Sequence, residues 1–197
     1  MIKRLFDIIF SFFSLILVSP WLFLFAFLIK RESPGPAFYR GQRVGKEGEI
    51  FRIFKFRSMV LNAEKLGGPS TSADDPRLLK IGKFLRKHNL DELPELLNIL
   101  KGEMSFVGPR PDVPSEVETY PPEIRKIILS VKPGLTDLAT LEDLHEEEIL
   151  KGSADPHQAY CEIIKPRKLE LAVEYVKKRS FWLDIKIILK TIKSALF

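Results

Sequence analysis

Two short stretches carry side chains whose types and spacing could do chemistry. Asp91 and Glu92 stand side by side where a leucine-patterned segment begins. Carboxylates at a helix start meet the positive end of the dipole and free N–H groups. Capping by solvent-facing acids is one explanation. A site is the other: one carboxylate can bind a divalent metal while serving as, or beside, a nucleophile, and the same helix start favours a bound phosphate. Adjacent helical residues diverge by about 100°, so the pair is poorly placed to act across a sugar ring as glycosidase carboxylates do. The second stretch is Ser105–Pro111, in which Pro109 and Pro111 pin Arg110 between them. A planar guanidinium on a rigid loop suits two-pronged recognition of phosphate or carboxylate, although a structural turn with an exposed arginine has the same appearance.

The elements that must position these groups are legible in outline. Residues 32 to 36 (Glu-Ser-Pro-Gly-Pro) read as a linker or turn. Ala37–Val44 and Glu49–Met59, separated by Gly45 and Gly48, predict a hairpin. In its second arm Lys55 and Arg57 are two residues apart and share a side of the strand, either gripping an anion or forming a charged edge that discourages aggregation. Asn62–Arg77 is polar and rich in Gly, Pro and Ser, which predicts a mobile loop, and Leu78–Lys87 is a basic amphipathic segment. Leu93, Leu96, Leu97 and Leu100 mark a short helix, with Pro94 near its first turn and Gly102 past its end. Pro121-Pro122 opens another, presenting Ile124, Ile127, Ile128 and Val131 on one face before Pro133-Gly134. Asp137 to Glu148 holds six acidic residues and no Lys or Arg. Trp182, Ile185, Ile188, Leu189, Ile192 and Leu196 recur at helical spacing opposite Lys186, Lys190 and Lys193. That pattern suits a membrane-surface helix, and equally a helix covering a sheet.

Composition sets the setting. The 197 residues carry 31 Lys plus Arg against 26 Asp plus Glu, a net +5, yet mean hydropathy is only −0.01. Apolar residues are concentrated in Leu5–Ile29, where all but Asp7, Ser11, Ser14, Ser19 and Pro20 are hydrophobic. No small-x-small cleavage pattern follows, so this is not read as a removable signal. A straight helix of that length reaches about 37 Å and could span a bilayer. Pro20 inside the run, with Ser19 able to satisfy the Ile16 carbonyl it frees, favours a bend. Basic pairs at both ends, Lys3-Arg4 and Lys30-Arg31, favour a helix that enters the membrane and returns to the same face over one that crosses it. Residues 1–57 hold ten basic and four acidic side chains, net +6, which leaves −1 for the remainder and points to anionic headgroups or phosphates as partners. The single cysteine, Cys161, excludes an internal disulfide framework and indicates a reducing compartment. His88, His145 and His157 share no metal-ligand spacing, and phosphate-loop, serine-elbow and dinucleotide patterns are absent.

The run Leu90–Pro111 (LDELPELLNILKGEMSFVGPRP) closely resembles the signature of the bacterial sugar transferases, the monotopic phosphoglycosyl transferases of glycoconjugate assembly. Phe54–Met59, Lys132–Thr136 and Ser180–Ile185 match further family segments in order, so the resemblance covers essentially the whole chain. It implies transfer of a phosphosugar from a nucleoside diphosphate sugar, such as a UDP-sugar, to a polyprenol phosphate such as undecaprenyl phosphate. It implies an α/β fold with a small mixed helix-sheet core, a re-entrant membrane helix over residues 1–31, and a catalytic domain over 32–197 with interfacial amphipathic helices. By the same resemblance Asp91 would be the nucleophile and Glu92 its partner, the two holding Mg²⁺ or Glu92 assisting proton transfer. Arg110 would neutralise phosphate charge, with Lys55, Arg57 and Arg86 supporting around the nucleotide. The location would be the cytoplasmic face of the bacterial inner membrane, with no nucleic acid partner. Two alternatives stay open: the same transfer in one step, with both substrates bound together, and a membrane-anchored binder of anionic lipid or nucleic acid. Where many relatives follow Pro-Gly-x-Thr with Gly and then a Gln and a basic residue, this chain has Asp137-Leu138-Ala139-Thr140, which leaves the sugar unassigned. The extra N-terminal transmembrane helices of the large members are not in this sequence, the pattern expected of a catalytic unit alone.

Overall fold

A computed structural model describes residues 2–66, 71–72, 74–142 and 149–196 of the chain. Parts of the Asn62–Arg77 loop and of the acidic stretch after Asp137, with His145, lie outside the described residues.

The apolar N-terminus forms one helix, α1 (Ile2–Glu32), continuous through Pro20. Proline removes a backbone donor, and the Ile16 carbonyl so freed accepts from the Ser19 hydroxyl at 2.8 Å, the local repair that the Ser-Pro pair predicts. Both ends of α1 are tied to the same body. Near the N-terminus Lys3 donates to the Val107 carbonyl (2.9 Å) and the Asp184 carboxylate (2.5 Å), while Arg4 donates to the carbonyls of Ile99 and Leu100. At the other end Phe25 and Ile29 pack with Phe56, Leu79 and Leu85, and the Glu32 carboxylate accepts from the backbone N–H groups of Lys80 and Ile81.

The expected hairpin divides into two short antiparallel pairs: β2 (Gln42–Val44) with β3 (Ile50–Arg52), and β1 (Phe38–Tyr39) with β4 (Lys55–Phe56). The alternation read from the second arm ends at β4, because Phe56 is buried against α1 and Arg57 is buried as well. The basic segment is α2 (Lys80–Lys87). The leucine segment begins as a 3₁₀ turn, Leu90–Glu95, and becomes α-helical only at α3 (Leu96–Lys101). Pro94 tolerates the tighter first turn because it needs no partner for an N–H. Gly102 ends the helix with φ +91°, a left-handed cap that a side chain would strain.

Two strands pair in parallel, β5 (Ser105–Val107) and β6 (Gly134–Thr136), with α4 (Pro114–Glu118) and α5 (Pro122–Ile128) between them. The fold is therefore mixed helix and sheet, but among the described residues the sheet is three separate two-stranded pieces. A short helix, α6 (Pro156–Ala159), leads through a π turn into α7 (Lys165–Lys178), and α8 (Phe181–Leu196) closes the fold. α8 does both things its pattern allowed. Ile187 and Tyr175 pack on Val107, covering β5 and β6, while Trp182, Leu189 and Ile192 remain exposed beside Lys186, Lys190 and Lys193.

Candidate active site

The 3₁₀ turn explains how three carboxylates come together. With three residues per turn, positions i and i+3 eclipse, so Glu92 and Glu95 stack on one face with Asp91 beside them. All three are buried: Asp91 6%, Glu92 8% and Glu95 2% exposed. Carboxylates this enclosed need cations. Lys55 donates from Nζ to Glu92 Oε1 at 2.7 Å and stands 3.2 Å from Glu95 Oε1. Arg110 forms an ion pair with the same Glu92 oxygen. Asp91 differs from its neighbours. Among the described residues its carboxylate has no hydrogen-bond partner, while its charge is felt by both Lys55 and Glu95.

Each cation is positioned by backbone. Asn98, fully buried on α3, accepts from the Phe54 N–H at 2.8 Å and donates to the Arg52 carbonyl at 2.9 Å, which fixes the strand that carries Lys55. The Arg110 loop is clamped by hydrogen bonds from the Gly108 N–H to the Thr136 carbonyl and from the Gly134 N–H to the Pro109 carbonyl. A Cβ on Gly134 would stand 2.1 Å from the Gly108 nitrogen, so the clamp requires glycine there.

The electrostatics follow from burial. Desolvation, opposed chiefly by the Lys55 charge, pushes Glu95 up to about 7. Burial likewise pulls Lys55 down from its ordinary value, opposed first by Glu95. Arg43 on β2 acts on both groups, and neither it nor Glu95 nor Asn98 stands out in the sequence. All three lie in or beside segments that read as helix or hairpin surface. For Glu95 and Asn98 their place in the signature run is the only signal the sequence offers, and nothing in the sequence marks Arg43.

Of the residues expected at the site, the structure brings together Asp91, Glu92, Lys55 and Arg110. It does not bring Arg57 there. Lys55 and Arg57 do not form the expected pair, because the Arg57 fork donates to the carbonyls of Ser33 (2.6 Å) and Pro34 (2.8 Å). Those carbonyls follow the end of α1, where the helix supplies no donors for them. Arg86, in the last turn of α2, lies toward Asp75; its charge, after the hydrogen bonds from Arg77, helps hold the Asp75 carboxyl below the usual carboxylate range. Asp137 is buried and caps the following turn, accepting from the Thr140 N–H and hydroxyl.

Magnesium takes hard oxygen ligands, commonly one or two carboxylates with water and substrate phosphates. Asp91 and Glu92 are donors of that kind, and the Asp91 oxygens are not committed to another group. No cluster of three His, Cys, Asp or Glu able to hold a metal occurs among the described residues. Two carboxylates, completed by phosphate and water, fit that inventory.

The bacterial sugar transferase family profile matches residues 1–197. The chain is 38% identical over 198 residues to a UDP-N-acetylgalactosamine-undecaprenyl-phosphate N-acetylgalactosaminephosphotransferase of Aeromonas hydrophila, covering 99% of this chain and 44% of that protein. It is 37% identical over 195 residues to a UDP-glucose:undecaprenyl-phosphate glucose-1-phosphate transferase of Escherichia coli (strain K12), covering 98% and 39%. A UDP-glucose:undecaprenyl-phosphate glucose-1-phosphate transferase of Caulobacter vibrioides is 35% identical over 196 residues, covering 98% and 69%. The chain thus spans less than half of the first two relatives and about two thirds of the third.

Proposed function

The chain belongs to the bacterial sugar transferase family, and from that membership and its site we propose that it moves a phosphosugar from a UDP-sugar to undecaprenyl phosphate through a covalent intermediate on Asp91. The observation that carries the mechanism is the contrast within the dyad. Glu92 is engaged by two cations, whereas Asp91, at the same depth, has a carboxylate free to attack.

In the first step an Asp91 oxygen attacks the phosphorus bonded to the sugar. The bond from that phosphorus to the bridging diphosphate oxygen breaks, and UMP leaves with the bonding electrons. In the second step an ionised oxygen of the polyprenol phosphate attacks the same phosphorus. The acyl phosphate bond breaks, the Asp91 carboxylate is restored, and a polyprenol diphosphate sugar is formed. Both steps bring anion to anion. Lys55, enclosed beside the dyad, and the more exposed Arg110 supply the screening. When bound, Mg²⁺ on Asp91 and Glu92 would draw charge from the phosphate oxygens.

The acceptor is a lipid, so the dyad must work at headgroup depth. Support for a membrane-embedded α1 is its hydropathy, its burial of only 11% over the most apolar stretch, and the exposed Phe10, Phe13, Leu17, Trp21 and Phe23. α1 is also the one described helix long and apolar enough to cross a membrane. Support for re-entry is the docking of both its ends. A helix of 31 residues is about 46 Å long. Bonds from both Lys3 and Glu32 to one body favour ends that share a face over ends on opposite faces. The cytoplasmic face of the inner membrane suits both a soluble nucleotide donor and an unpaired cysteine.

The test uses purified protein, Mg²⁺ and a panel of UDP-sugars, with and without undecaprenyl phosphate in vesicles. UMP release that requires acceptor, with a phosphosugar adduct on Asp91 when acceptor is withheld, is the expected result. Asp91→Asn should lose at least about a thousandfold in turnover. Turnover with no adduct would favour the one-step alternative, and no turnover with any donor would overturn the reaction.

A further inference from the structure

We propose that Glu95 is a positioning residue that holds the Lys55 ammonium at the dyad, so that Lys55 can pass from Glu92 to a substrate phosphate while keeping a counter-ion. The proposal rests on the reading of the chain as a phosphoglycosyl transferase.

Glu95 is the most buried of the three carboxylates, and its Oε1 has no hydrogen-bond partner among the described residues. A buried carboxylate oxygen without a donor is costly, so the cation paired with it matters. That cation is Lys55, 3.2 Å away and outside hydrogen-bond geometry. Lys55 places its one good hydrogen bond on Glu92, which Arg110 also engages. The ammonium is thus suspended between two carboxylates stacked by the 3₁₀ turn, bonded to one and balanced by the other.

The arrangement has a use. An arriving diphosphate competes for Lys55, and a phosphate oxygen can replace Glu92 as its hydrogen-bond acceptor. Glu95, 2% exposed with its Oε1 3.2 Å from Nζ, stays beside the ammonium as its counter-ion when Glu92 is displaced. Glu95 therefore neither touches the reacting atoms nor needs to. It acts through Lys55.

The experiment compares wild type, Glu95→Gln, Lys55→Met and the double variant, using whichever UDP-sugar the wild type accepts. Melting temperature is read beside kcat and donor KM. Glu95→Gln keeps size and removes charge, and kcat should fall by about 30-fold with melting little changed. Lys55→Met should fall at least as far, and adding Glu95→Gln to it should cost nothing more. Wild-type kcat in Glu95→Gln would overturn the proposal. So would effects that multiply in the double variant, which would show Glu95 acting apart from Lys55. If Glu95→Gln does not fold, Glu95→Asp, which keeps the charge but shortens the reach, takes its place in the same cycle under the same criteria. A wild type that releases no UMP with any donor overturns the reaction itself and this role with it, whereas with an active wild type the cycle tests Glu95 alone.

Discussion

Lys55 and Arg57 show how little spacing along a strand decides. Two residues apart, they are expected to face one anion, yet Lys55 reaches the dyad while Arg57 points to the linker after α1. Arg57 is 6% exposed, and two main-chain carbonyls depend on it. Arg57→Met should therefore act on stability, lowering it by about 2 kcal/mol for lost charge-assisted hydrogen bonds. Donor KM of the folded fraction should stay within about twofold, since no substrate contact is removed. Thermal melts alongside initial rates check both, and a large KM change with normal melting would return Arg57 to the nucleotide. Asp91 and Arg110 should behave oppositely, losing rate with little loss of fold, whereas loss of Lys55 should lower both rate and melting because it compensates two buried carboxylates.

At the scale of elements, α1 depends on polar ties at its beginning. Lys3, Tyr175 and Asp184 form a closed set, with the Tyr175 hydroxyl 2.7 Å from Asp184 Oδ1 and Lys3 2.5 Å from Oδ2. Burial and the Asp184 charge both push Tyr175 above its ordinary pKa, which keeps its hydroxyl a donor. Arg4 serves the end of α3, where helix carbonyls lack partners and a cation is favoured. In the sequence these basic residues point to headgroup contact, but the structure commits them to protein partners. Asp184→Asn should cost about 2 kcal/mol and loosen the first turn of α1 and the start of α8 together. Hydrogen exchange localised to residues 2–8 and 181–187 would reveal it. Uniform loss of protection, or none, would argue against the latch.

For the whole molecule, α1 and α8 meet near their starts, where Phe6 packs against Phe181 as well as Phe106, and each helix carries exposed apolar side chains. Exposed aromatic and aliphatic side chains with lysines at the margin make a surface suited to a bilayer interface. On the proposed reading of α1 as a returning helix, both its ends would lie to one side of the membrane. Cysteines introduced at residues 2 and 40, with Cys161 replaced by serine, should react with an impermeant maleimide from the same face of sealed vesicles. Labelling from opposite faces would establish a span.

The sequence by itself determined the family, an N-terminus apolar enough to cross a membrane, the existence of some of the short helices and the candidate dyad. These depend on local pattern: an unbroken apolar run, prolines and glycines at helix ends, and a contiguous 22-residue signature. What only the tertiary structure decided is which charges meet. Glu95 and Asn98 read as helix surface, and Arg57 reads as an equal of Lys55, because a one-dimensional pattern reports the side a residue leaves from and not what lies there. The 3₁₀ start of the leucine segment stacks Glu92 on Glu95, and the β5–β6 clamp brings Arg110 to them from 18 residues away. Buried charges are assigned by the partners that compensate their lost hydration, and those partners arrive only when the chain has folded.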